Sequence, residues 1–182
     1  MIFKETKIDG AFVIEIEKLT DKRGFFARGY CEKEFKEQGI LFEAVQANIG
    51  YNKFKHTIRG LHYQVKPHAE AKLVRCVKGE VWDVIVDVRP ESPTYKQWLG
   101  VELTENNHTM LFIPEGCAHG YQTLVDNTEI YYMVSAFYAP EAEQGIRWDD
   151  QAFNIEWRET EQIFISDKDQ KWENYNSSPQ KV

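Results

Sequence analysis

Hydrophobic and polar side chains alternate along much of this chain with a period of two residues. The clearest run is residues 81–88, where one face of the segment carries Trp82, Val84, Val86 and Val88. This period is typical of β-strands, whose successive side chains point to opposite faces of a sheet. The same type of pattern predicts further strands at residues 11–17, 72–77, 100–103, 110–113 and 128–138.

Turn-forming residues separate the predicted strands, and helical signals are few. Lys78-Gly79 predicts a hairpin turn between two of the strands. A charged stretch at 32–38 predicts a helix that ends at Gly39, and a weaker helical stretch covers 167–172. Many short strands joined by turns indicate an all-β sandwich or barrel with little helix.

The chain shows no linker, repeat or shift in composition, so we predict one domain over residues 1–182. Within it we expect three segments: N-terminal strands and a helix at 1–50, the β core at 51–150, and a C-terminal helical segment and tail at 151–182.

Charge and composition narrow the classes of function. Lys and Arg number 22 against 29 Asp and Glu, a formal net charge of −7. This balance disfavours general nucleic-acid binding, which needs a basic surface, but leaves room for a local phosphate site. The three cysteines are too scattered for a disulfide framework, and no apolar run is long enough to span a membrane. We therefore expect a cytoplasmic protein with reduced thiols and no nucleic-acid or membrane partner.

Two histidines stand in settings that suggest chemistry. His62 follows a glycine by two residues in a β-rich run, and His119 ends the turn Pro114-Glu115-Gly116-Cys117-Ala118-His119. The second run resembles half of a metal-binding cupin motif, but Gln64 stands where a second histidine would complete the other half. Lys72 follows downstream, and its charge would oppose that of a metal ion. A metal-free site is favoured, with a bound catalytic metal as the alternative.

The same inventory suits proton transfer beside a ketone. Such a reaction needs a base, a cation or donor for the enolate oxygen, and an acid on the opposite face. His62 can serve as the base, Lys72 as the cation, and one member of the Tyr131-Tyr132 pair as the acid. The residues suited to binding a diphosphate are Arg23, Arg59 and His119.

Motifs along the whole chain point to one family. They include Asp21-Lys22-Arg23-Gly24-Phe25-Phe26, Arg59-Gly60-Leu61-His62-Tyr63-Gln64, Ala71-Lys72-Leu73-Val74-Arg75, Phe112-Ile113-Pro114-Glu115-Gly116 and Gly145-Ile146-Arg147-Trp148-Asp149-Asp150. In this order and with this spacing the chain resembles the dTDP-4-dehydrorhamnose 3,5-epimerases and their relatives. The resemblance implies a cupin-like β jelly roll, a homodimer with a swapped N-terminal strand, and no required metal or cofactor. It also implies epimerisation of a nucleotide-linked 4-keto-6-deoxyhexose at C3, C5 or both, in deoxysugar and lipopolysaccharide biosynthesis.

The resemblance also implies roles for individual residues. His62 matches the catalytic base and Asp169 the carboxylate that orients it, while Lys72 matches the cation at the enolate oxygen. Tyr132 matches the acid on the opposite face. The residues expected to contact the substrate are Arg23, Arg28, Gln46, Asn48, Arg59, His119, Tyr138, Glu143 and Lys168.

Departures from the family pattern leave the substrate open. Arg28 replaces a glutamate that faces the thymine edge in the family. Thymine N3 carries a hydrogen and suits an acceptor, whereas cytosine N3 accepts and suits a donor such as arginine, so CDP stands beside dTDP as a candidate. Alternatively, Arg28 faces solvent or a phosphate. Residues 133–137 also differ from the family's run after the acid, so inversion at both carbons is not assumed.

Two other functions stay open at the level of sequence. One is a metal-dependent cupin that acts as an oxygenase or isomerase. The other is a cupin that binds a sugar nucleotide without turning it over.

Overall fold

The computed structural model describes residues 1–175 of the chain. The predicted tail at 176–182 lies outside the described residues. The strands are β1 (Ile2–Glu5), β2 (Phe12–Glu15), β3 (Leu19–Asp21), β4 (Gly24–Phe26), β5 (Gln46–Asn52), β6 (Thr57–Gln64), β7 (Lys72–Lys78), β8 (Glu80–Asp87), β9 (Trp98–Thr104), β10 (Met110–Ile113), β11 (Cys117–Thr123), β12 (Thr128–Val134), β13 (Glu143–Gly145) and β14 (Phe164–Ile165). The helices are α1 (Glu32–Glu37), a 3-10 turn at Pro140–Ala142, and α2 (Asp167–Gln170).

Most strands belong to two sheets that face each other, which confirms the predicted all-β, cupin-like jelly roll. The first sheet has the order β1-β2-β10-β7-β12-β5, and the second has the order β13-β6-β11-β8-β9, with β14 added parallel to β6. Side chains from both sheets meet in a shared core that includes Val74, Ile85, Leu111 and Ile130. Burial of such side chains provides the main driving force for keeping the sheets together.

A second apolar layer covers the outer face of the second sheet. Val84 and Val86 of β8 pack there against Ile146, Phe153 and Trp157, which follow β13 in the chain. Both faces of β8 are therefore buried. This explains why residues 81–88 carry apolar side chains on one face and still place Ile85 in the core on the other.

Helix α1 covers the outer face of the first sheet. Its one buried side chain, Phe35, packs with Phe42, Leu73 and Phe112. The helix ends where the sequence predicts, because Gly39 adopts the left-handed conformation (φ 76°) that glycine tolerates best after a helix.

Several predicted elements are shorter than expected, among them the strand predicted at 11–17, which covers only Phe12–Glu15. The strand predicted at 128–138 ends at Val134, because its partners β5 and β7 begin at Gln46 and Lys72, directly opposite that residue. The helix predicted at 167–172 ends at Gln170, and the ring of Trp172 turns back to pack on the backbone of Gly145. Within residues 1–175, no helix is both long and apolar enough to cross a bilayer.

The hairpin of β3 and β4 stands apart from both sheets. Within the described part of the chain its two strands pair only with each other, and all their residues are exposed. Leu19 and Phe26 are each 70% exposed and Phe25 is 46% exposed. Two large apolar side chains, Leu19 and Phe26, are thus largely exposed on this ribbon, while the Phe25 ring partly packs against His108 and Lys18.

Candidate active site

Two cavities lie between the sheets and share three lining residues. The larger has a volume of about 630 Å³ and the smaller about 270 Å³. His62, Lys72 and Tyr132 line both of them. His62 belongs to β6 of the second sheet, whereas Lys72 and Tyr132 belong to β7 and β12 of the first. The predicted base therefore faces the predicted cation and acid from the opposite wall.

His62 is paired with Asp169, as the resemblance implies. The His62 Nε2 atom lies 2.6 Å from Asp169 Oδ1, and the backbone N–H of Gly60 donates to Asp169 Oδ2 at 3.3 Å. Burial by itself raises the pKa of the Asp169 carboxyl, but hydrogen bonds from His62 and Gly60 outweigh it and hold the pKa below the usual value. Asp169 is thus ionised, and it accepts a hydrogen bond from the Nε2–H group of His62, while Nδ1 stays available as a base.

The short helix α2 places this carboxylate next to His62. Asp169 lies in α2, where its backbone N–H donates to the Ser166 side chain at the helix N-cap, over 3.1 Å. Asp169 as a whole is 4% exposed. Arg147 adds a hydrogen bond of 3.0 Å to the carbonyl of Gln170 and so ties the same helix to the segment after β13.

Lys72 is buried at the first position of β7, where it is 7% exposed. Its ammonium donates to the carbonyl oxygen of His62 at 3.2 Å and lies 3.1 Å from Oε1 of Glu70. These contacts hold a positive charge beside the base. Sequence reasoning missed Glu70, which lies in an irregular loop with no local pattern to mark it.

Tyr132 is half-buried and lies opposite Asn48 of β5 and Val74 of β7. Burial, followed by the negative charge of Glu70, raises the pKa of its phenol. The hydroxyl therefore keeps its proton at neutral pH, as a general acid requires. Its neighbour Tyr131 lines neither cavity, so of the two tyrosines only Tyr132 is available.

A second histidine–carboxylate pair lies beside the first. His119 on β11 is directly opposite His62 on β6, and its Nε2 lies 2.8 Å from Oδ1 of buried Asp83. The Oδ2 atom of Asp83 has no hydrogen-bond partner within residues 1–175. The sequence alone did not pair these residues, because Asp83 and His119 are 36 positions apart.

Arg59 lines the larger cavity next to this pair. Its Nε donates to Asn52 Oδ1 at 2.7 Å and its Nη2 to the Tyr51 carbonyl at 3.2 Å. Asn52 in turn donates to the Tyr121 hydroxyl at 3.2 Å. The guanidinium is thereby fixed in orientation and still lines the cavity.

The smaller cavity collects four of the predicted substrate contacts. Gln46 and Asn48 of β5 line it and are joined by a 2.9 Å hydrogen bond. Tyr138 and Glu143 line it as well, and the Tyr138 hydroxyl donates to Glu143 Oε2 at 2.8 Å. Lys168 binds the same oxygen at 2.6 Å from outside the lining set.

Arg23 and Arg28 do not reach either cavity within a single chain. Both belong to the exposed hairpin region, where Arg23 binds Asp21 and Arg28 binds Glu34. Their predicted contact with the substrate therefore stays a prediction that depends on a second chain.

The titratable groups of these cavities are arranged in pairs and not as a metal-ligand cluster. Among residues 1–175, no three His, Cys, Asp or Glu side chains are grouped so that they could hold a metal ion. His62 and His119 each face one carboxylate, and a lysine lies beside the first pair.

Comparison with known proteins agrees with this geometry. The sequence profile of the dTDP-4-dehydrorhamnose 3,5-epimerase family matches residues 5–177. The chain belongs to that family. It is 45% identical to a dTDP-4-dehydrorhamnose 3,5-epimerase of Shigella flexneri over 166 residues, which cover 91% of each chain.

Solved structures of the family share the fold of this epimerase. The dTDP-4-dehydrorhamnose 3,5-epimerase of Bacillus anthracis, solved with TDP and pyrophosphate bound, is 39% identical and superimposes with a TM-score of 0.91, over 96% of this chain and all of that one. A 3′-monoepimerase of Streptomyces bikiniensis, in complex with dTDP-quinovose, is 29% identical with a TM-score of 0.85, over 93% and 85% of the two chains. The epimerase is thus an isomerase of the sugar-nucleotide class, and the metal-dependent and binding-only alternatives are not favoured.

Proposed function

We propose that this epimerase inverts C3, C5 or both in a nucleotide-linked 4-keto-6-deoxyhexose, through an enolate. The observation that carries the proposal is the placement of the His62–Asp169 pair across the cavity from Tyr132, with the Lys72 ammonium between the two walls. A base facing an acid serves inversion, whereas binding alone needs neither.

The reaction proceeds by removal of a proton on one face and its return on the other. Nδ1 of His62 takes the proton from the carbon next to the ketone. The electron pair of that C–H bond forms the C=C bond of the enolate, and the π pair of the C4 carbonyl moves onto its oxygen; both shifts reverse when the carbon is protonated again. Lys72 stabilises the negative oxygen, and Asp169 stabilises the imidazolium that forms. Tyr132 then donates its phenolic proton to the opposite face of the carbon. Solvent restores the tyrosine and removes the proton from His62.

The polar residues around this centre suit the nucleotide diphosphate. Arg59 offers N–H donors in the larger cavity, which His119 also lines, while Gln46 and Asn48 offer amide groups in the smaller one. Tyr138 is 56% exposed at the rim of the smaller cavity and offers a face for stacking on the base. Glu143 lines the same cavity, and Lys168 binds Glu143 from outside the lining residues and offers a further contact for the substrate.

Proton NMR in D2O tests both the chemistry and the nucleotide. We expect the purified protein to incorporate deuterium at C3, C5 or both when it is offered dTDP-4-keto-6-deoxyglucose or CDP-4-keto-6-deoxyglucose separately. The labelled positions identify the inverted centres, and the faster substrate identifies the base. A folded protein that labels neither substrate would exclude both sugar nucleotides and contradict the proposal.

We also propose a homodimer in which the β3–β4 hairpin packs on a partner chain. Among residues 1–175, Leu19 and Phe26 stay 70% exposed and Phe25 46% exposed, and apolar groups of this size favour burial. The same packing would carry Arg23 and Arg28 towards a partner's cavity. A cytoplasmic location, where the three unpaired cysteines stay reduced, belongs to the same proposal.

A charge placed in the hairpin tests this assembly. We expect Phe26→Asp to convert a dimer into a monomer and to raise KM by about tenfold or more, because a diphosphate then loses a cationic contact from the partner. Light scattering and steady-state kinetics measure the two effects. The control is Leu41→Asp, which alters a side chain that is 83% exposed and lies outside the hairpin. A wild-type monomer, or a dimeric Phe26→Asp variant, would contradict this packing.

A further inference from the structure

One buried carboxylate in the cavity has no part in the mechanism above. Glu70 lies in the loop between β6 and β7, and its side chain is only 9% exposed. It lines the smaller cavity together with His62, Lys72 and Tyr132. Burying a carboxylate removes its hydration and costs free energy, so a buried carboxylate is expected to be paired with a cation or to serve a function.

The partner of Glu70 is the cation that the reaction uses. Glu70 Oε1 lies 3.1 Å from Lys72 Nζ, which also donates to the His62 carbonyl oxygen at 3.2 Å. A lysine ammonium has three N–H groups and no acceptor. One N–H is donated to the His62 carbonyl oxygen of β6, and the Glu70 carboxylate lies beside the ammonium as its ion-pair partner. The ammonium therefore keeps N–H groups for an oxygen of the ligand.

The backbone next to Glu70 is fixed to the strand that carries the acid. The Ala71 N–H donates to the Ser135 hydroxyl at 2.8 Å, and the Ser135 N–H donates to the Ala71 carbonyl at 3.0 Å. Ser135 directly follows the end of β12, which holds Tyr132. The position of Glu70 is thus set by the same strand, not by a free loop.

We propose that Glu70 is a positioning residue of this reaction, whose carboxylate holds the Lys72 ammonium where the oxyanion forms and acts through Lys72 rather than on the substrate. The inference rests on the proposed function. It assigns Glu70 a role in the reaction without direct contact with the reacting atoms.

Glu70 also acts electrostatically on Tyr132. Its negative charge adds to burial in raising the pKa of the phenol, and Arg59 opposes it. The charged and titratable groups that line the two cavities with Tyr132 are His62, Lys72, Glu70, Arg59, His119, Tyr121, Glu143, Asp169, Tyr51, Lys53, Tyr63 and Tyr138. Loss of the Glu70 charge lowers the pKa of Tyr132, so the phenol loses its proton at a lower pH. The alkaline limb of the rate profile should move in the same direction.

Two substitutions separate the contact from the charge. Glu70→Ala removes both, and we expect kcat to fall by about tenfold with KM changed by less than about twofold, because the loss is one of orientation in the transition state. Glu70→Gln keeps an oxygen that Lys72 can bind, so it should recover part of kcat. Both variants should shift the alkaline limb to lower pH. The control Glu91→Gln removes an equal charge from an exposed turn and should change none of these values.

A double-mutant cycle decides whether Glu70 acts through Lys72. In a Lys72→Met background, Glu70→Ala should cause no further loss of deuterium incorporation, measured at high enzyme concentration. An equal loss in both backgrounds, a wild-type kcat in Glu70→Ala, or a rise in KM alone would overturn the inference. Wild-type protein that neither labels nor inverts its substrate would instead overturn the proposed function.

Discussion

Replacing His62 with asparagine should reduce kcat by at least about 10²-fold, since a positioned acid or base typically contributes about 10²–10⁴-fold. Asparagine is polar and smaller than histidine, and His62 is 31% exposed, so the fold should persist. Deuterium incorporation and inversion should fall together, because removal of the proton precedes both. Proton NMR in D2O follows the two signals in one sample.

A second histidine provides the control for that experiment. His68 lies in the loop after β6, is 44% exposed at its side chain and lines neither cavity. His68→Asn should therefore keep wild-type kcat. Unchanged turnover in His62→Asn would remove this residue from the mechanism, and circular dichroism checks that both variants are folded.

Replacing Tyr132 with phenylalanine should separate labelling from inversion. The variant lacks the only proposed acid on the first sheet, so inversion should fall by about 10²-fold or more. His62 still removes the proton, exchanges it with solvent and returns a deuteron to the same face. The substrate should therefore gain deuterium without changing configuration, and NMR coupling constants distinguish the two results.

The neighbouring tyrosine makes a matched control. Tyr131→Phe removes the same hydroxyl one residue away, on a side chain that lines neither cavity, and should leave both signals intact. If Tyr132→Phe lost labelling and inversion to the same extent, the hydroxyl would have to act before or during proton removal. Its assignment as the acid on the opposite face would then be wrong.

The strands that the sequence predicts well are those with a buried apolar face. Residues 81–88 and 110–113 are rich in apolar side chains because they are buried in the core. The structure places β8 and β10 in these two segments. Strand β5 was missed for the opposite reason. Its inward side chains include Gln46 and Asn48, which line the smaller cavity, so a functional surface replaces the apolar pattern.

The candidate site could be assembled from the sequence only through the resemblance. Asp169 is 107 positions from His62, and no local spacing connects them. Glu70 and Asp83 carry no motif, because their roles depend on Lys72 and His119, which the fold brings next to them. Local sequence patterns predict which face of a strand is buried and where a helix ends. Contacts between the two sheets can be predicted only when the order of the strands is known.

The proposed base and acid lie on different sheets, so their separation depends on how the two sheets pack together. His62 and His119 are adjacent on one sheet, so hydrogen bonds between β6 and β11 fix their spacing. The distance from His62 to Tyr132 instead spans a cavity between the sheets, and apolar contacts such as those of Val74 and Ile85 set how far apart the sheets lie. Sequence changes in that core therefore alter the separation of the proposed base and acid, between which the substrate carbon must fit, without changing either residue. Core packing, remote from any ligand, is thereby expected to affect inversion.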